Sequence, residues 1–184
     1  CCRFDEATVE IARRIEGRDV PPDIHQVAGL LAERRGDLDA ADRAFARASA
    51  LDAERFPMPA RLDREAFDRE LDVACGKLPE MFRRHLDDVT VLVEDVPSEA
   101  LLRSEDPPLD PELLGLFSGI AVGERSHFSP GGEMPPQIYL FKRNLERFAL
   151  ERGAIAGEIV VTLYHELGHY LGMDEEDLQA VDFA

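Results

Sequence analysis

Phe67, Leu71 and Cys75 stand four residues apart, so they share one face of a helix expected to begin near Leu62. Ahead of it, residues 1–55 are rich in Ala, Arg, Glu and Asp and poor in β-branched side chains, a composition that predicts helix. Gly76 and Pro79 interrupt the pattern, and a second short helix is expected over residues 79–86. The period then changes. Val89-Thr90-Val91-Leu92-Val93-Glu94 is a β-branched run bounded by an Asp-Asp pair and Pro97, and it reads as a strand. Ile120-Ala121-Val122 and Gln137-Ile138-Tyr139-Leu140-Phe141 read as two more strands. Residues 103–111 are an acidic, proline-rich loop, and Ser129-Pro130-Gly131-Gly132 marks a turn. A helix is expected over residues 144–151. Ile159-Val160-Val161-Thr162-Leu163-Tyr164 is apolar enough for a buried helix starting near residues 154–158. Helices alone, followed by strands and helices together, make the chain α+β.

Phe56-Pro57-Met58-Pro59 is a proline-punctuated break, and it divides the chain into segments 1–56 and 61–184. The first segment has an internal echo. Gly36-Asp37-Leu38-Asp39-Ala40-Ala41, with Phe45, Ala48 and Leu51-Asp52, resembles the second helix of a tetratricopeptide repeat. Gly29 falls where the first helix of such a repeat carries its small residue. A shift of about 34 residues lays Phe4-Asp5-Glu6-Ala7 under Leu38-Asp39-Ala40-Ala41, and Ile11 under Phe45. Small residues let antiparallel helices approach while Phe45 and Ile11 fill the space between them. His25 stands in place of an aromatic and Ala53 in place of the usual proline. On this reading the chain starts inside a repeat, and further repeats are expected upstream.

A net charge of −17 over 184 residues argues against nucleic acid or an anionic membrane surface as a partner. At 45% hydrophobic the chain has enough apolar residues for an ordinary core. Cys1, Cys2 and Cys75 form no disulfide framework, which favours a reducing, cytoplasmic compartment. No run is long enough for a membrane span and no signal peptide is visible, although a chain without an initiator Met leaves room for a longer precursor.

The chemistry concentrates in His165-Glu166-Leu167-Gly168-His169. Residues four apart share a helix face, so both imidazoles can reach one metal ion, with Glu166 beside that face to take a proton from a water on the metal. Two imidazoles and a carboxylate make an open three-ligand site suited to Zn2+. Gly172 is placed to end the helix in a left-handed turn. Four carboxylates follow, Asp174-Glu175-Glu176-Asp177. Asp174 is placed to reach the turn's own amides and Asp177 to cap a closing helical turn, which leaves Glu175 and Glu176 as ligand candidates. Tyr164 and Tyr170 read as packing residues, His25 and His85 as structural or exposed, and His127 as a loop residue able to line a cleft.

Residues 61–184 resemble the minimal zincin-like metallopeptidases of bacteria, through Val89 to Asp95, Leu113-Leu114-Gly115-Leu116-Phe117 with Gly119, Glu124-Arg125-Ser126, Pro136 to Phe141 and His165 to Leu178. The family pattern H-E-x-x-H-x-x-G-x-x-D/E puts its third ligand on Glu175. The resemblance implies a small mixed sheet over two main helices, with a cleft between Ile138–Phe141 and the His165 helix. It also implies peptidase activity, with one zinc ion and a peptide or protein substrate. Substrate is expected as an added strand along Ile138, Tyr139, Leu140 and Phe141, from that segment's β-rich character and the same resemblance. Larger metzincins carry a methionine turn well downstream, whereas only seven residues follow Asp177 here and Met173 is too close to serve. The helical repeats are expected to recruit a protein partner. The rival expectation is a non-catalytic scaffold that keeps a metal site for stability, against which the intact Glu166 speaks.

Overall fold

The computed structural model describes residues 3–17, 19–122, 135–149 and 151–180. Helices α1 (Phe4–Ile15), α2 (Pro22–Arg34) and α3 (Leu38–Leu51) pack in chain order, α1 on α2 and α2 on α3. Gly36 turns the chain between α2 and α3 at φ 74°. Asp37 then caps α3, accepting from the Ala40 N–H at 3.1 Å. The two helices close tightly because Gly29 has no side chain: a Cβ there would lie 2.5 Å from the Phe45 ring. Phe45 is buried against Ala32 and Ala41 in a small core of its own, while Ile11 is only half-buried.

The larger core belongs to the rest of the chain. Its elements are α4 (Arg64–Lys77), α5 (Glu80–Arg83), β1 (Thr90–Glu94), α6 (Glu99–Leu102), β2 (Gly115–Ser118), β3 (Gln137–Phe141), α7 (Lys142–Phe148), α8 (Ile155–Tyr170) and α9 (Glu175–Ala180). Gly76 stays within α4, and Pro79 begins the next helical turn. The fully buried Phe67, Phe82, Ile138, Leu140, Leu145, Ile159 and Leu163 bring α4, α5, β3, α7 and α8 together. Burying each such side chain contributes about 1.5–3 kcal/mol. Helix α8 is apolar on most of its circumference, as a helix packed on several sides must be. No helix among the described residues is long and apolar enough to cross a membrane.

The sheet is mixed, in the order β1-β3-β2, with β1 parallel and β2 antiparallel to β3. Two expectations change here. Ile120 and Ala121 lie outside any strand; the strand is Gly115–Ser118, from the glycine-bearing stretch just before. Its pairing ends where Ser118 meets Gln137, since Pro136 has no N–H to continue the ladder and Gly119 turns away at φ 146°. The second correction concerns substrate. Ile138, Tyr139, Leu140 and Phe141 form the central strand, paired on both edges, and three of the four are fully buried. No edge of β3 is left for a peptide to join.

A buried ionic cluster crosses the Pro57–Pro59 break. Arg61 donates from Nη2 to Glu33 at 2.7 Å, from Nε to Asp42 at 2.9 Å and from Nη1 to Glu146 at 3.1 Å. Arg147 also bonds Glu33, and Glu146 accepts from Lys142 Nζ at 2.5 Å and from the Leu62 N–H at 2.9 Å. These contacts tie α2 and α3 to α7. Removing an arginine that serves the fully buried Glu33 and Glu146 leaves a charge uncompensated, at a cost of about 3–5 kcal/mol. A fragment of residues 61–184 keeps the Arg61, Leu62, Lys142 and Arg143 donors to the Glu146 carboxylate and nearly all of the larger core. It should therefore melt cooperatively in a calorimeter, at a lower temperature than the whole chain; a broad, non-cooperative trace would show that the halves share one core.

Candidate metal centre

His165 and His169 sit one turn apart on α8, and their Nε2 atoms approach to 3.1 Å. Glu175 Oε1 lies 3.4 Å from each of them. All three ligand atoms fall within 4.8 Å of one another. Zinc–nitrogen bonds of about 2.0–2.1 Å at tetrahedral angles would separate donor atoms by about 3.3–3.4 Å. The spacing of this set therefore fits a single zinc ion. A second observation agrees: the Nδ1 of His169 lies 3.3 Å from the Met173 carbonyl, which selects the tautomer whose Nε2 lone pair is free for a metal. The imidazoles are 39% and 31% exposed, so one side of the centre faces solvent, as a catalytic metal requires.

Two glycines bring Glu175 to this face. Gly172, at φ 84°, ends α8 in a Schellman turn, with Gly172 N–H bonding the His169 carbonyl and Met173 N–H the Gly168 carbonyl, each at 3.0 Å. Gly168 lies under Leu178, where a Cβ would meet Cδ2 at 2.2 Å, so α9 can settle directly on α8. The four carboxylates then divide their work. Asp174 Oδ1 accepts from the Glu176 and Asp177 N–H groups at 3.0 and 2.9 Å, which makes Asp174 the cap of α9. Asp177, expected to cap, instead returns a bond to the Asp174 N–H at 3.3 Å, because α9 begins two residues earlier than it.

Glu166 is 7% exposed, and its Oε2 accepts the Phe117 N–H of β2 at 2.7 Å. Burial pushes its carboxyl above the ordinary range, while that N–H and the charges of His165 and His169 pull it back. Strand β2 reaches Glu166 only because Gly115 is bare: a Cβ there would stand 2.5 Å from Thr162 Cγ2 and 3.3 Å from Glu166 Cγ. Gly115→Ala should cost about 1–3 kcal/mol by overpacking. A Thr162→Ser partner, which removes Cγ2 and keeps the hydroxyl, should restore most of it in chemical denaturation. Restoration absent in the double variant would mean that the strain lies elsewhere.

The pattern of apolar and polar residues did not reveal Phe117, Gly115 or Gly168. A lone glycine inside a strand is a signal of close backbone approach and was available at Gly115; a backbone N–H leaves no signal of its own. Tyr164 and Tyr170 pack against Phe82 and Phe117, with ring centroids 4.5 and 5.8 Å apart. His85 bonds Asp88 at 2.9 Å and lies edge-on to Tyr170, and His25 is buried in α2. His127, with Glu124-Arg125-Ser126, lies outside the described residues.

No curated protein matches the chain. A family model described as zincin-like metallopeptidase matches residues 86–184, more than half of its length and all of the elements that build this centre. The chain belongs to the zincin-like metallopeptidase family.

Proposed function

We propose that this protein is a zinc-dependent peptidase in which His165, His169 and Glu175 hold the ion and Glu166 is the general base. The observation that carries the reading is the meeting of three donor atoms at zinc-fitting distances beside a buried carboxylate. Zinc bound there would supply Lewis acidity, bringing the pKa of a water toward about 7 and polarising a carbonyl. Glu166 takes the water's proton and gives it to the leaving amine. The Phe117 N–H holds the carboxylate in place between those two transfers. The peptide lies along the outer edge of β2, which pairs only with β3 among the described residues and touches Glu166. The helical segment, read as a tetratricopeptide-like repeat, recruits a protein partner.

The test is metal content by mass spectrometry together with turnover of an unstructured protein such as casein. Stoichiometric zinc and chelator-sensitive cleavage support the reading. Stoichiometric zinc without cleavage would favour the scaffold alternative, in which the metal only stabilises the domain.

A further inference from the structure

Between α1, α2 and α3 lies an open groove of about 330 Å³. Its floor is apolar, with Ile11, Ile15, Leu31 and Ala44, and its rim carries Arg35, Arg43 and Arg47, all exposed. None of the described lining residues is acidic, in a chain with 38 Asp and Glu against 21 Lys and Arg. Several arginines elsewhere in the molecule are held by carboxylates: Arg14 by Glu10, Arg64 by Asp68, Arg61 by three of them. Those at the groove are not. Arg35 reaches only the neutral Thr8 hydroxyl, at 3.2 Å, and Arg43 and Arg47 form no ion pair among the described residues. Asp39 stands four residues before Arg43, a spacing that favours pairing on a helix, yet the two do not pair. Asp42, next to Arg43 in the chain, is turned to Arg61. Within the field of Arg47, the buried His25 keeps an Nδ1 with no hydrogen-bond partner among the described residues.

Three guanidinium groups without carboxylate partners above an apolar floor are complementary to one kind of ligand. We propose that this groove binds an acidic, partly apolar peptide segment of another protein. Its carboxylates pair with Arg35, Arg43 and Arg47, whose planar forks suit them, and its apolar side chains rest on the floor. A nucleic acid fits less well, since no described lining residue is aromatic to stack a base and the net charge of −17 repels a polyanion. The proposal gives the helical segment a recognition chemistry, and it stands apart from the peptidase reading because binding can be measured without zinc.

The experiment uses the whole chain stripped of metal and a fluorescein-labelled peptide alternating Glu and Leu, followed by fluorescence anisotropy. Saturable, salt-sensitive binding is expected, unchanged in Glu166→Gln. The double variant Arg43→Glu/Arg47→Glu should weaken it by about tenfold or more. Arg43→Lys/Arg47→Lys should retain most of it. Both positions are exposed, and unchanged helicity by circular dichroism would show that the fold persists. Equal affinity for a Gln/Leu peptide, no change in the charge-reversed variant, or stronger binding of a single-stranded oligonucleotide would each overturn the proposal. So would loss of the peptide signal to self-association of the chain.

Discussion

Glu166→Gln should keep its zinc and lose about 10²–10⁴-fold in turnover, the usual worth of a general base. The substitution is close to isosteric. A glutamine carbonyl oxygen can still accept the Phe117 N–H that Glu166 Oε2 accepts at 2.7 Å, so β2 need not move. The ligand set is untouched, because Glu166 faces β2 while His165, His169 and Glu175 face one another. What disappears is the capacity to take up a proton. The buried charge disappears as well, and burial disfavours that charge in the parent, so the metal-free variant should melt at the same temperature or higher. Zinc titration, casein turnover and a thermal melt check the three parts separately. A Gln variant that cleaves as fast as the parent would remove Glu166 from the mechanism.

The second large effect is expected at Glu175. Single alanine substitutions at Asp174, Glu175, Glu176 and Asp177 should separate cleanly in zinc affinity. Glu175→Ala removes the oxygen 3.4 Å from both imidazoles, and its loss should exceed the roughly 10–100-fold that outer-shell partners cost. Asp174→Ala removes two N–H contacts at the start of α9, a cap worth about 0.5–2 kcal/mol. It should weaken zinc only as far as α9 slips. Glu176→Ala should change little. Gly168→Ala should behave like a weaker Glu175 variant, since a Cβ 2.2 Å from Leu178 forces α9 off α8 and carries Glu175 with it. Isothermal titration decides among them; a loss confined to Glu176→Ala or Asp174→Ala would mean that another carboxylate completes the site.

Much of the candidate site was legible in the residues themselves. Helical periodicity alone puts His165 and His169 on one face, and an apolar run flanking them requires the helix to be buried. The same local logic locates β1, β3 and the turn at Gly172, because a β-branched run or a glycine acts on its own stretch of backbone. The choice among the four carboxylates needed the family spacing, since consecutive side chains at a helix start point different ways and only the packing of Leu178 on Gly168 decides which one returns.

Strand order was not legible. Ile138 to Phe141 looks like the strand a peptide would join, but its richness in apolar side chains reflects a central position with both edges taken. Strand β2, Gly115-Leu116-Phe117-Ser118, looks unlike a strand because Gly115 is shaped for contact with Thr162 and Glu166 rather than for β propensity. Nor does composition show that Arg61 joins Glu33 and Glu146 while Arg43 and Arg47 form no ion pair among the described residues. The sequence by itself determined which surfaces are apolar and which chemical groups recur at helical spacing, since both follow from the backbone's own periods. Only the tertiary structure decided which surface meets which, because pairing depends on shape and charge contributed by segments distant in the chain.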